Sequence, residues 1–297
     1  SSAGLEALGI PSEGLGDILD LVPPGPGLAL DDNVLRAYWQ ESESVAVFGQ
    51  MTWRWTDWLS GVFGARYGRE EKSALFDLTV NGGIIGAIVG AEEIDNKQVR
   101  RSESDFSPTL GLRWDVADDV AAFATWSQGF KGGGFNATTN TEENLEFDAE
   151  KASNMELSLK SQWGGLKANV ALYRSDIDNL QVVDFDGQAY QVRNAAQARL
   201  QGIEVDAFWD PDVSWFSLGV AFALSDASYL SYPNAPVPAT GDPDGEDDGK
   251  QDLSGRTLAN APEITATLSP VLHFPLWFGL QGHAGLDMSY RGDQYSA

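Results

Sequence analysis

Val45–Tyr67 reads VAVFGQMTWRWTDWLSGVFGARY. Two runs alternate with period two about a short hinge, Thr56-Asp57-Trp58. On the outgoing run Val45, Val47, Met51, Trp53 and Trp55 share one face, while Gln50, Thr52 and Arg54 share the other. On the return Leu59, Phe63, Ala65 and Tyr67 oppose Ser60, Val62, Gly64 and Arg66. Period two belongs to a strand, and so short a hinge makes the two strands an antiparallel hairpin. One face is greasy and the other carries full charges.

Working outward, the same unit returns four more times. Phe106–Trp114 and Val120–Ser127 turn at Asp115–Asp119, and Met155–Trp163 and Leu166–Asp176 turn at Gly164-Gly165. Leu200–Trp209 and Ser214–Ala227 turn at Asp210–Val213, and Ile264–His273 and Trp277–Tyr290 turn around Pro275. The reading is ten strands in five hairpins. Between hairpins, Gly68–Asp105, Gly129–Asn154 and Tyr229–Glu263 read as long polar loops, whereas Ile177–Arg199 is shorter and extends its flanking strands. Short turns therefore gather at one end of the sheet and long loops at the other. Residues 1–43 read as a loop segment before the first complete hairpin, with one helix at Leu15–Val22 stopped by Pro23-Pro24. The stretch Asn81–Ala91 reads as a loop packed on its neighbours, too short and Gly-rich to span a bilayer.

Composition narrows the class. With 19 basic and 44 acidic side chains in 297 residues, the formal charge is −25, which excludes a basic nucleic-acid-binding face. There are no cysteines, which removes disulfide scaffolds, thiolate metal sites and cysteine nucleophiles. The only histidines, His273 and His283, lie on different strands without helical i, i+4 spacing, so each reads as a surface or packed residue, and no metal site is expected. Abundant Gly (32) with 10 Trp, 8 Tyr and 14 Phe is the composition of strands and turns. The longest charge-free run, Ile264–Leu286, is broken by Pro270 and Pro275 and reads as two strands rather than a membrane helix. The chain opens Ser1-Ser2-Ala3-Gly4-Leu5-Glu6 with no leader pattern, so any secretion signal is expected outside it.

Alternation alone does not distinguish a water-facing sheet from a barrel wall. The indoles do. Trp53, Trp55, Trp58, Trp114, Trp163, Trp209, Trp215 and Trp277 all lie close to a short turn, leaving only Trp39 and Trp126 elsewhere. A soluble sheet has no reason to collect indoles at one end of every hairpin. A membrane barrel does, because the amphipathic ring prefers the headgroup layer. The fold class is all-β, part of an antiparallel transmembrane β-barrel. Met155, Leu157, Leu159, Ile203, Val205 and Ala207 are expected to face lipid, and Glu156, Lys160, Glu204 and Asp206 the lumen.

Several segments then resemble the barrel of TonB-dependent outer-membrane receptors: Ala46–Gln50, Gly64–Tyr67, Ser107–Trp114, Trp126–Asn136 (WSQGFKGGGFN), Asn154–Lys160, Gly202–Asp206 and Leu253–Pro262 (LSGRTLANAP). In order and spacing they cover roughly residues 40–290. The resemblance implies residence in the outer membrane of a Gram-negative bacterium, contact with its lipid and lipopolysaccharide, and uptake of a scarce ligand, a ferric siderophore first, or cobalamin or a glycan. It also implies a plug domain inside a 22-stranded barrel, driven through a TonB box by the TonB complex. Neither plug nor TonB box is visible, so the chain is expected to be a partial barrel, residues 44–297, of a larger receptor. The other reading is a small porin-like or adhesive barrel closed from about ten strands.

Six residues near the long-loop end combine aromatic and hydrogen-bonding groups and are the expected ligand contacts: Phe130, Lys131, Phe135, Asn136, Arg193 and Asn194. Catalysis is not expected. Glu156, Lys160, Glu204, Asp206, Arg66 and Arg113 recur on the polar face as lumen ion-pair residues, not as an identifiable carboxylate pair. Lys131-Gly132-Gly133-Gly134 lacks the Gly-Lys-Ser/Thr of a phosphate loop, and Asn136-Ala137-Thr138 is a chance sequon. The carboxylates Asp242, Asp244, Glu246, Asp247, Asp248 and Asp252 miss the spacing of a Ca²⁺ loop and read as a solvated loop. No cofactor is expected.

Overall fold

The computed structural model describes residues 33–81, 84–185, 190–211, 213, 215–237 and 250–295. Ten long antiparallel strands follow one another in sequence order in a single sheet. They are β1 (Asn33–Arg54), β2 (Leu59–Asn81), β3 (Ile94–Ala117), β4 (Val120–Lys131) and β5 (Glu150–Trp163). β6 (Leu166–Phe185), β7 (Tyr190–Trp209), β8 (Phe216–Ser231) and β9 (Ile264–Pro275) follow. β10 comprises Gln281–Gly285 and Met288–Arg291, both paired to β9 in one unbroken register. Among the described residues β1 and β10 each have a single strand neighbour, so the sheet is open.

The five hairpins stand where the alternation put them, except that Trp277–Gly279 forms a 3-10 turn and the return of the fifth begins at Gln281, and most strands run much farther. Residues 33–43, expected as loop, form the outer end of β1, and most of Gly68–Asp105 is strand in β2 and β3. At ~3.4 Å per residue the 24 residues of β3 span about 80 Å, whereas a tilted crossing needs only ~9–11 residues. The excess stands above the bilayer. There both faces meet water or loops, so the ladder continues without apolar alternation, and segments such as Arg69–Lys72 and Arg100–Glu103 pair as strands although they read as loop. Within Asn81–Ala91, Asn81 ends β2 and Ile84–Ile88 forms a short helix. The expected helix Leu15–Val22, and the acidic run except Asp252, lie outside the described residues. At Asp252, hydrogen bonds from the hydroxyl and the backbone N–H of Ser254 hold the carboxyl below the ordinary carboxylate range.

Cross-strand register shows that one face is apolar from strand to strand. Trp53, Gly61, Leu112, Ala124, Leu157, Leu172, Ile203, Leu224 and Ile264 are successive partners from β1 to β9. This row is oblique to the membrane. On β1 the outward apolar stretch runs from Val45 to Trp53 and lies on the long-loop side of the row; on β9 it runs from Ile264 to Phe274, on the short-turn side. The band therefore steps along the register as it crosses the sheet, which is the stagger of tilted barrel strands. On β5 the outward stretch from Met155 to Trp163 is eight steps, about 27 Å along the strand, matching a tilted crossing of a ~25 Å apolar band.

The opposite face carries Arg113, Phe123, Ser158 and Glu204 in one partner row and Lys160, Asn169 and Asp206 in the next. Arg113 and Lys160 lie 5.7 and 5.5 Å from the centroid of the Phe123 ring, and Asn169 donates to Asp206 at 2.6 Å. Tyr173 lies across Gly202 on this face and bonds Ser225 Oγ at 3.0 Å. A Cβ on Gly202 would stand 2.3 Å from Leu224 O and 2.8 Å from the Tyr173 hydroxyl, whereas one on outward Gly49 meets nothing within 4 Å. Gly202→Ala is therefore expected to cost about 1–3 kcal/mol as an overpacked site and Gly49→Ala almost nothing. Urea midpoints of the folded barrel check this.

Candidate ligand-facing site

The polar face becomes a site where the β4–β5 connection, residues 132–149, folds back onto it. Gly134–Phe135 pairs with Glu146–Phe147 as a short ribbon. Phe135 and Leu145 bury themselves against Ala74, Phe76 and Leu78 of β2 and Ile94 of β3, with the rings of Phe135 and Phe76 edge-on at 6.4 Å. The residues on β2 that receive them have the parity of inward Arg66 and Gly64, so the strap lies inside the curve of the sheet. Burying two large apolar side chains contributes roughly 3–6 kcal/mol toward holding it there.

Polar contacts stitch the strap to both sides. Toward β2 and β3, Arg101 reaches Glu103, Glu146 and Asp148, with Glu146 at 3.4 Å and Asp148 at 2.8 Å. Lys72 donates to Gly133 O at 2.7 Å and pairs with Glu70 at 3.0 Å, while the Gly133 N–H donates to Glu103 at 2.9 Å. Glycine is needed at 133 because a Cβ there would lie 2.4 Å from Phe147 O and 2.6 Å from the Arg101 guanidinium. Arg36 of β1 bonds Asn140, whose own amide donates to Val89 O at 2.9 Å. Toward β6 and β7, Gln181 donates to Gly132 O and Asp148 O, each at 3.0 Å. One loop thus bridges the first three strands and the sixth and seventh across the inner face.

The six expected ligand residues divide by position. Lys131 is inward and pairs with Glu150 at 3.1 Å. Phe130, its neighbour in an extended strand, takes the other face, level with Lys151, so the two do not line one cavity. Phe135 is in the strap's core. Asn136 is 4% exposed; it donates to Asn144 O at 2.8 Å and Val192 O at 3.0 Å and accepts from Val192 N–H at 2.8 Å. Asn194 donates to Asp148 O at 2.7 Å and Asn179 O at 3.0 Å. Arg193 is half-buried beside Gln191 at 3.5 Å. Lys131 at its root and Phe135, Asn136 and Asn194 thus meet at the strap, while Arg193 alternates with Asn194 along β7.

Arg101, Glu103 and Asp148 escaped the reading because 68–105 and 129–154 show little apolar alternation beyond Phe76–Val80, and Gln181 because 177–199 read only as an extension of its flanking strands. The available hint was Arg101 and Glu103 at i, i+2, which share a face once a strand is granted. Asn136→Ala leaves three buried backbone groups without their partner and is expected to loosen the strap by at least about 1–3 kcal/mol. Hydrogen exchange should rise at 134–147 and 190–194 but not in β5.

The concave apolar surfaces lined by Trp58, Leu112, Leu157 and Leu172 lie on the opposite, outward face and are grooves for lipid chains. A sheet greasy outside, with a loop strapped across its polar inside, is one wall of a membrane barrel. A family model described as TonB dependent receptor-like, beta-barrel, matches residues 14–297. The chain belongs to the TonB-dependent receptor family. It is outer-membrane barrel of a Gram-negative bacterium.

TonB-dependent receptors similar to this chain include the pesticin receptor of Yersinia pestis, 23% identical over 177 residues, which covers 59% of this chain and 25% of that protein. The vitamin B12 transporter BtuB of Vibrio vulnificus is 25% identical over 108 residues, 36% of this chain and 17% of that protein. Among solved structures, the ferric yersiniabactin uptake receptor FyuA of Yersinia pestis superposes with a TM-score of 0.68 at 17% identity, covering 89% of this chain and 36% of that one. The siderophore receptor PiuA of Acinetobacter baumannii gives 0.59 at 13% identity, with 85% and 37% covered. These structures share the fold. The chain spans a quarter or less of the relatives' sequences and just over a third of the superposed chains.

Proposed function

We propose that these strands form part of the barrel of a receptor that binds a scarce ligand from outside the cell and imports it, a ferric siderophore in the first place. The observation that carries this reading is the receptor-barrel family match over residues 14–297, and the strap, anchored by a buried aromatic pair and an ionic knot across the inner face, supports it. The names of similar proteins, a ferric yersiniabactin uptake receptor and a siderophore receptor, favour a ferric chelate, while the cobalamin transporter keeps a cobalt chelate in view. In this reading a plug fills the inner face, and a TonB complex moves it. The outward cluster of Arg174, Asp176 and Arg199 above the apolar band lies against lipopolysaccharide headgroups.

Lys131 and Arg193 offer positive charge to an anionic chelate. Phe135, Asn136 and Asn194 hold the strap that presents it, and Phe130 anchors the strand at the outer headgroup layer. Uptake of ⁵⁵Fe-loaded siderophores by cells depending on the receptor tests the proposal. Accumulation should fall with Lys131→Ala combined with Arg193→Ala, and nearly vanish with alanine at all six positions. Unchanged uptake in the six-fold variant would remove this ligand site. Receptor-independent uptake of every chelate tried would favour the small porin-like barrel.

A further inference from the structure

The register of β9 and β10 brings the chain's two histidines, His273 and His283, directly opposite each other. Hydrogen bonds between these strands fall on the even residues of β9 and the turn: Gly292 N–H to Ile264 O, Leu286 N–H to Pro270 O and Leu276 N–H to Leu280 O. The N–H of His273 points the other way, to Trp215 O at 2.8 Å. His273 and His283 are therefore a non-hydrogen-bonded pair, in which the Cα atoms approach to ~4.5 Å and side chains come closest. Both share parity with Thr265, Thr267 and Ser269 on β9 and Ser289 on β10, whereas Leu268, Leu272 and Met288 take the apolar face. The imidazoles thus face the lumen, a short step from the turn at the end where indoles gather.

We infer that this pair is a two-imidazole site for a divalent first-row transition-metal ion, placed at the short-turn mouth of the barrel. Adjacent imidazoles on one side of a ladder can direct two nitrogen donors at one ion, and nitrogen donors of this kind suit Cu²⁺, Ni²⁺ and Zn²⁺ and not Mg²⁺ or Ca²⁺. Orientation is built in as well. Ser217, a buried hydroxyl on β8, lies 3.3 Å from His273 Nε2, and in the tautomer whose Nε2–H donates to it Nδ1 is the ligating lone pair. Water completes the coordination, or a donor from whatever fills the lumen. The site is distinct from the strap and independent of the imported ligand.

The receptor carrying this chain, purified in detergent, is titrated with Cu²⁺ and read by electron paramagnetic resonance, alongside His273→Gln and His283→Gln. The expected result is one ion whose spectrum shows two equatorial nitrogens. Either substitution should weaken it by at least about tenfold, and it should be displaced by Ni²⁺ or Zn²⁺ but not by Mg²⁺. Unboiled gel mobility confirms that the variants assemble, and the nitrogen count of the unmodified receptor is a measurement independent of them. A one-nitrogen spectrum, or equal affinity in properly assembled variants, overturns the inference.

Discussion

Leu157→Arg is expected to block assembly of the barrel, while Ser158→Arg, one residue on, is tolerated. Leu157 sits in the apolar row between Ala124 and Leu172, one outward position from the middle of the outward stretch of β5, and is 58% exposed because only lipid covers it. An arginine there must desolvate its guanidinium or drag water into the hydrocarbon, at about 2–4 kcal/mol near the midplane. That is roughly thirty- to seven-hundred-fold in the folding equilibrium, at about 1.4 kcal/mol per decade. Ser158 points into the lumen between Phe123 and Ala171, on the face that already holds Arg113 and Lys160. A further cation there stays hydrated, and the change should remain under about 1 kcal/mol. Heat-modifiable gel mobility and urea titration of outer-membrane fractions separate the two. Equal defects would reverse the assignment of faces.

The second large effect concerns the chain by itself. With β1 and β10 paired on one side only, the described strands present two free edges. Each unsatisfied backbone group in hydrocarbon costs several kcal/mol, and a membrane-depth edge holds several of them, so the isolated 297-residue chain should not persist as an open monomer. In detergent it is expected to aggregate or to pair edge to edge. Size-exclusion chromatography with light scattering distinguishes these from a monomer. A monodisperse, heat-modifiable monomer forming defined pores in planar bilayers would show that the edges close on each other, and would make the ten-strand barrel the functional unit.

Hairpins, faces and solvent were legible in the residues. A charge on the lipid side of a strand costs kcal/mol while the lumen side accepts it, so Met155–Lys160 and Ile203–Ala207 must alternate, and indoles must cluster at the headgroups. Above the membrane that constraint lapses. Residues 33–43 and most of 68–105 therefore show no sustained apolar alternation and read as loop, although the backbone ladder, indifferent to side-chain polarity, carries the strands through them. The site suffers from the same silence. That Phe130 turns outward follows from its parity with Trp126, but that Asn136 clamps Val192 across 56 positions depends on where a loop lands. Likewise, a separation of ten positions left His273 and His283 reading as two lone side chains. Only the register of β9 against β10, set by the Leu276–Leu280 turn and by which face must meet lipid, made them neighbours. The sequence by itself determined what each strand offers to lipid and to water; which distant residues meet on the inner face was decided by strand pairing and loop packing, because those contacts are long-range and leave no local periodicity.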